Sequence, residues 1–139
     1  MSFIELDHLD DDRLHVYRNL KKTNRTRGTS QFIAEGKKVV VQLIQSEFAV
    51  QSILTSDKHV AYLEPHLPDD VPAYVLPHKL AQTLVGFSFH CGMLGCGIRK
   101  PAPSLDDLMT SDRRHLLVVL PRTQDPDNMG SIVRIAAGF

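Results

Sequence analysis

The chain has 139 residues and a mass of 15.6 kDa, the size of one domain or of a compact domain followed by the start of another. Hydrophobic residues make up 42% and charged residues 23%, which excludes a disordered tract, a collagen-like repeat and a disulfide-stapled miniprotein. Sixteen basic and sixteen acidic residues cancel, so any attraction for a polyanion must come from local segregation of charge.

No apolar run approaches the roughly 18 residues of a membrane-spanning helix. The acidic run Asp10–Asp12 stands where an export signal would need a basic start and an apolar stretch. A cytoplasmic location without a membrane partner is therefore expected. Cys91 and Cys96 suit a reducing compartment and are too few for a four-cysteine zinc site. The seven histidines show no ligand spacing, so no metal is expected.

In chain order, residues 10–22 read as a helix, with Asp10–Asp12 at its positive end and Val16, Tyr17 and Leu20 on one face. Arg18, Lys21, Lys22 and Arg25 recur every three or four residues and form one basic stripe if the helix continues. The segment Thr23–Ser30 is rich in turn formers and ends it, leaving Arg25 and Arg27 on a loop. Between Arg13 and Lys38 eight Lys and Arg face a single acid, Glu35. Such a segment suits a polyanion, through counterion release, and equally a solvated helix face.

From Gln31 strand and helix alternate. Phe32–Ala34 is a strand, and Val40, Leu43, Ile44 and Phe48 mark the buried face of a helix with Lys38, Gln42 and Gln45 outside. Val50–Leu54 is the next strand, Asp57–Leu67 a helix stopped by Pro68, Pro72–Leu76 a strand, His78–Val85 a helix ended by Gly86, and Met93–Ile98 a glycine-interrupted strand. This pattern predicts an α/β fold with a mainly parallel sheet between helical layers.

Residues 101–114 read as a linker, after which Leu116–Leu120 is an apolar strand of the doubly buried kind. The loop Pro121–Asn128 leads into a helix with Met129, Ile132, Val133 and Ala136 on its apolar stripe and Arg134 opposite. One strand and one helix cannot enclose a core, so this second unit reads as cut short. The expected organisation is a basic helix and loop at 1–30, an α/β domain at 31–100, a linker at 101–114, and the opening of a second domain at 115–139.

The loop before the last helix is the most informative stretch. Asp125 and Pro126 favour a turn, and Asp127 or Asn128 can cap the helix. A loop between the carboxyl end of a strand and the amino end of a helix can offer free N–H groups to phosphate or carboxylate; it can equally be an ordinary connection. His90 beside Cys91 and Cys96 does not make a nucleophile-base pair, because adjacent side chains rarely orient as one, and both cysteines read as buried small side chains. Gly92, Gly95 and Gly97 do not fit the dinucleotide-binding pattern and point to close backbone packing.

The segment DPDNMGSIVRIAAGF, with Asn128, Gly130, Arg134 and Phe139, closely resembles the first motif of the SpoU (TrmH-like) branch of the SPOUT methyltransferases. FIAEGKKVV at Phe32–Val40 resembles the opening of that family's substrate-binding domain, and FSFHCGMLGCGIRK, with His90, Cys91 and Gly92, its closing strand. The resemblance runs in family order from about Asp12 to Phe139. Pro121, Arg122 and Ile135 depart from the family's usual residues.

The resemblance implies an α/β/α sandwich similar to certain ribosomal proteins, followed by the first strand and helix of a truncated α/β-knot domain. It also implies methyl transfer from S-adenosylmethionine to a ribose 2′-hydroxyl of rRNA or tRNA. Asn128 and Arg134 would serve at the catalytic site, and Arg18, Lys21, Lys22, Arg25, Arg27 and Lys37 would contact RNA. The family's two later, cofactor-binding motifs do not occur in residues 1–139, so the chain alone is expected to be inactive and the cofactor to bind only in a longer protein. Family members usually form homodimers through the knotted domain. The alternative is a non-enzymatic RNA-binding module of the same fold.

Overall fold

Five short apolar runs form strands, β1 (Ser2–Glu5), β2 (Gln31–Glu35), β3 (Val50–Ser56), β4 (Pro72–Leu76) and β5 (Met93–Ile98), paired into one sheet in the order β1, β4, β3, β5, β2. The structure is a computed structural model and describes residues 2–20, 28–109, 114–123 and 125–138, so Lys21, Lys22, Arg25, Arg27 and Phe139 lie outside it. Its helices are α1 (Lys37–Gln45), α2 (Val60–Leu63), α3 (His78–Val85), α4 (Leu105–Leu108) and α5 (Pro126–Ala136). The chain divides into two units, Met1–Pro101 and Ala102–Phe139.

The sheet is mixed, where the sequence predicts a mainly parallel one. Strands β1, β4 and β3 run parallel, whereas β5 runs antiparallel to both β3 and β2. The cause is the return path after α3. Gly86, at φ 78°, ends the helix in the left-handed conformation, and the Gly92 carbonyl accepts from the Ser56 N–H at 3.0 Å. The chain is therefore back at the carboxyl end of β3 when β5 begins, and β5 must run the other way.

Side-chain alternation sends two sets of apolar residues to opposite faces. Leu54, Tyr74, Leu76, Leu94 and Cys96 pack with Ala81, Leu84 and Val85 of α3 and with Leu14, Val16 and Tyr17. Ile53, Ala73 and Met93 pack with Val40 of α1 and Leu63 of α2. Gly95 and Gly97 share the second face: a β-carbon at Gly95 would stand 3.0 Å from Leu43 Cδ2, and one at Gly97 would stand 3.1 Å from Leu43 Cδ1. Close packing is thus the role of these glycines, because α1 sits directly on β5.

Three other elements differ from expectation. The helix predicted at 10–22 is a 3-10 helix, Asp12–Tyr17, capped by Asp11. It stops because the chain turns at Asn19, with φ 50°, to bond the Leu84 carbonyl from the Asn19 N–H at 2.8 Å. The predicted helix at Asp57–Leu67 is α2 flanked by 3-10 turns at Asp57–His59 and Glu64–His66, the latter carrying Pro65. Strand β1 precedes any segment read as regular from the sequence, and it pairs only at the sheet edge.

In the second unit, Leu116–Leu120 is not in a ladder among the described residues, contrary to the predicted strand, and Leu116 and Val119 are 69% and 79% exposed. A doubly buried strand needs neighbours on both edges, and the described residues of this unit supply none. The predicted linker at 101–114 contains α4, closed by a capping box between Ser104 and Asp107. No described residue of this unit is buried.

Candidate functional site

The loop and helix at 121–136 are built around Asp125. Its extended backbone and side chain close the amino end of α5: Oδ1 accepts from the N–H of Asp127 at 2.8 Å and of Asn128 at 3.3 Å, with Pro126 at the first helical positions. The cap is therefore Asp125, not Asp127 or Asn128. Asn128 lies inside the first turn and gives its backbone N–H to the cap, which leaves its side chain free for another task. The carboxylate also occupies the amides that could otherwise have met a phosphate, and it places a negative charge at the positive end of the helix.

A depression of about 500 Å³ opens beside this turn, lined by Arg122, Thr123, Asp125, Asn128, Ser131 and Ile132. Arg134 lies one turn further along and reaches back toward it, as long helical side chains do. Its Nη2 donates to Ser131 Oγ at 3.2 Å. A β-carbon at Gly130 would touch its Nη1 at 3.4 Å. Asn128 and Ser131 thus share the side of α5 that lines the depression together with Arg122, and Arg134 is tied to that side through Ser131. Two guanidinium groups and neutral hydroxyl and amide groups can bind an anionic, hydroxyl-bearing ligand.

The basic residues are distributed differently. Arg18 caps the carboxyl end of the 3-10 helix, and its Nη2 donates to the Asp11 carbonyl at 3.0 Å; Lys21, Lys22, Arg25 and Arg27 lie outside the described residues. Lys37 opens α1 after Gly36 and holds its ammonium 5.4 Å from the centre of the Tyr62 ring. The two belong to layers on opposite faces of the sheet. Lys37 lines a shallow depression of about 420 Å³ with Gly36, Lys38, Val39, Tyr62 and Cys91. Tyr62 escaped the sequence reading; the one signal was its place among the polar Lys58, His59 and His66.

The cysteines separate. Cys96 is buried and its thiol is pushed up to about 11 by burial, so it is a poor nucleophile. Cys91 is exposed, against the expectation that both are buried, because it lies on the loop ahead of β5. Three buried polar atoms at the carboxyl edge of the sheet, Ser56 Oγ, His59 Nδ1 and His78 Nδ1, have no partner, and no sequence pattern announced them. Among the described residues, no group of His, Cys, Asp or Glu is arranged to hold a metal ion, and no helix is long and apolar enough to cross a membrane.

No family model matches the chain. A Mycobacterium bovis protein named an uncharacterized tRNA/rRNA methyltransferase is 31% identical over 135 residues, 94% of this chain and 46% of the relative. A Mycobacterium tuberculosis protein of the same description aligns equally well. The chain spans about half the length of these relatives. Among solved structures, an rRNA methyltransferase from Sinorhizobium meliloti superposes with a TM-score of 0.57 at 15% identity, over 74% of this chain and 39% of that one. The AdoMet-bound form of an rRNA methyltransferase from the same organism gives 0.56 at 16%, over 73% and 38%. At that identity the likeness concerns the fold.

Proposed function

We propose that the chain is the amino-terminal portion of an RNA 2′-O-methyltransferase of the SpoU (TrmH-like) kind, moving a methyl group from S-adenosylmethionine to a ribose 2′-hydroxyl of rRNA or tRNA. The observation that carries the proposal is the amino-terminal part of α5, where Asn128 and Ser131 line a polar depression and Ser131 holds the Arg134 guanidinium. The names of the relatives and the folds of the solved neighbours point the same way. On this reading the first unit is the substrate-binding domain, an α/β/α sandwich, and the second is the opening of the knotted catalytic domain, through which the longer protein pairs as a homodimer.

The cofactor does not fit the residues described. The depression beside α5 is open and polar, with Ile132 its one large apolar lining residue, and it offers no slot for an adenine ring. The residues present therefore serve the RNA side of the reaction. Methyl transfer is an in-line displacement, so the first requirement is to hold the ribose oxygen in place. Arg134 meets it by clamping the adjacent phosphate and steadying the hydroxyl oxygen as it loses its proton. A guanidinium with a pKa above ~12 is a costly proton acceptor at neutral pH, which argues against Arg134 as the base. Asn128, relieved of capping, orders the same surface through its side-chain amide.

RNA binding on this reading involves Arg18 and Lys37 together with Lys21, Lys22, Arg25 and Arg27, which lie outside the described residues. Among the described residues the buried clusters all lie in the first unit, so binding is the activity that unit can express by itself.

The test is Arg134→Ala in a protein that carries this segment together with its remaining catalytic domain. Arg134 is exposed, so the melting curve should move by no more than ~0.5 kcal/mol. Single-turnover methylation with saturating RNA should slow by roughly a hundredfold, the scale of losing one positioned charged donor. Lysine should rescue in part, because it keeps the charge and loses the planar fork. A near-normal rate in Arg134→Ala would overturn the assignment.

A further inference from the structure

Away from α5, aromatic rings and cations meet on a second face. Phe32 of the edge strand β2 lies opposite Gly97, and its ring occupies the space a side chain there would take, with Cζ 2.5 Å from where a β-carbon would stand. Phe48 meets this ring edge-on, with centroids 5.3 Å apart and an interplanar angle of 77°. Phe48 remains 40% exposed, and Lys100 Nζ lies 5.6 Å from the centre of its ring. Around the pair runs a groove of about 500 Å³, lined also by Ala34, Val39, Leu43 and Arg99. Arg99 is anchored at the rim, its Nε donating to the Gln31 carbonyl at 2.9 Å.

We propose that this groove is a binding site for an unpaired RNA base and its flanking phosphates, with Phe48 and Phe32 as the stacking platform and Arg99 and Lys100 as the phosphate contacts. The inference rests on the reading of RNA as the partner and adds a site which that reading does not use. Two observations favour RNA over an apolar peptide. The rim is cationic: Lys100 pairs with Glu47 at 2.7 Å, but both side chains are exposed, at 52% and 90%, so a phosphate can displace the carboxylate at little cost. The groove also neighbours the Lys37 depression, the two sharing Val39, which is 46% exposed. Exposed aromatic rings beside cations are how sequence-tolerant single-strand sites are built.

The experiment measures binding of a fluorescent, unstructured oligouridine RNA to the 139-residue chain by anisotropy, across a salt series. Phe48→Ala should weaken binding roughly tenfold, and Phe48→Tyr should retain it. Phe48→Leu, which keeps apolar volume and loses the π face, should show the same loss and guards against a folding defect in the alanine variant. Arg99→Gln should lower the slope of log affinity against log salt by about 0.7, the single-strand value for one phosphate. Photo-crosslinking with 4-thiouridine should mark Phe48 or Phe32. Binding that all these variants leave unchanged, with crosslinks elsewhere, overturns the groove and leaves the RNA reading standing. No binding by the unaltered chain overturns both.

Discussion

Gly97→Ala sets two opposite effects against each other. Gly97 lies outside the left-handed region, so its backbone accepts alanine. Fewer unfolded conformations would then stabilise the fold by about 0.4–1 kcal/mol. Against this, the new β-carbon would sit 2.5 Å from Phe32 Cζ, 2.7 Å from Cε1 and 3.1 Å from Leu43 Cδ1. Carbon atoms pack at about 3.5 Å or more, so the ring must retreat by about 1 Å. Retreat forces the side chain off its rotamer, costing about 0.5–1.5 kcal/mol, and loosens the edge-on contact with Phe48, worth a similar amount. The clash wins, with a net loss of about 1–2 kcal/mol and a fall in melting temperature of about 5–15 °C for a unit of this size. Gly95→Ala is the control, because its nearest neighbour is the flexible end of Leu43 at 3.0 Å. Urea and thermal melts followed by circular dichroism decide it. A Gly97→Ala chain as stable as the original, or one that Phe32→Leu fails to rescue, would refute the packing argument.

Three more outcomes are expected. Tyr17→Phe should cost about 1–3 kcal/mol in urea melts, because the buried Tyr17 hydroxyl and Ser52 Oγ are bonded at 2.8 Å and the loss leaves Ser52 unpaired; adding Ser52→Ala should recover most of it. A thiol-alkylating reagent should add once to the native chain, at Cys91, and twice after denaturation, since Cys96 is buried with its thiol raised to about 11; intact-mass spectrometry counts the adducts. Asp125→Ala should destabilise α5 by ~1 kcal/mol, read from backbone chemical shifts at 126–136, whereas Asn128→Ala should leave the cap intact. The reverse order would return the cap to Asn128.

Most of the strands and helices of the first unit were legible because their apolar residues repeat at the period of the element. Val40 and Leu43 of α1, and Tyr74 and Leu76 of β4, are examples. What was not legible depended on contacts distant in sequence. The direction of β5 is set by where Gly92 meets Ser56, and the end of the first helical turn by where Asn19 meets Leu84. Strand β1 is four residues at a sheet edge, too short to show a period. At the site, Asn128 and Arg134 stand out by spacing and resemblance. The cap was misplaced because Asp125, Asp127 and Asn128 are all good capping residues, and backbone geometry alone chooses among them. Tyr62 and Arg99 were missed because a single exposed side chain carries no pattern, and Phe48, expected on the buried face of α1, instead lies beyond the helix end at Gln45 and is 40% exposed.

The choice of cap has a bearing on how the α5 surface can work. With the Asp125 carboxylate on the first free amides, the helix end no longer attracts an anion, and a phosphate beside it must be held by side chains. Arg134 can take that part only if its guanidinium reaches back along the helix, and position 130, four residues earlier, is where a side chain would cover it. Glycine within a helix costs about 1 kcal/mol relative to alanine, so Gly130 weakens α5 while leaving Nη1 uncovered. Ser131 then holds Nη2 on the side facing the depression. On the proposed reading, Gly130 leaves Nη1 of Arg134 open and Ser131 directs Nη2 toward the depression, so the arginine rather than the helix end would hold a phosphate there.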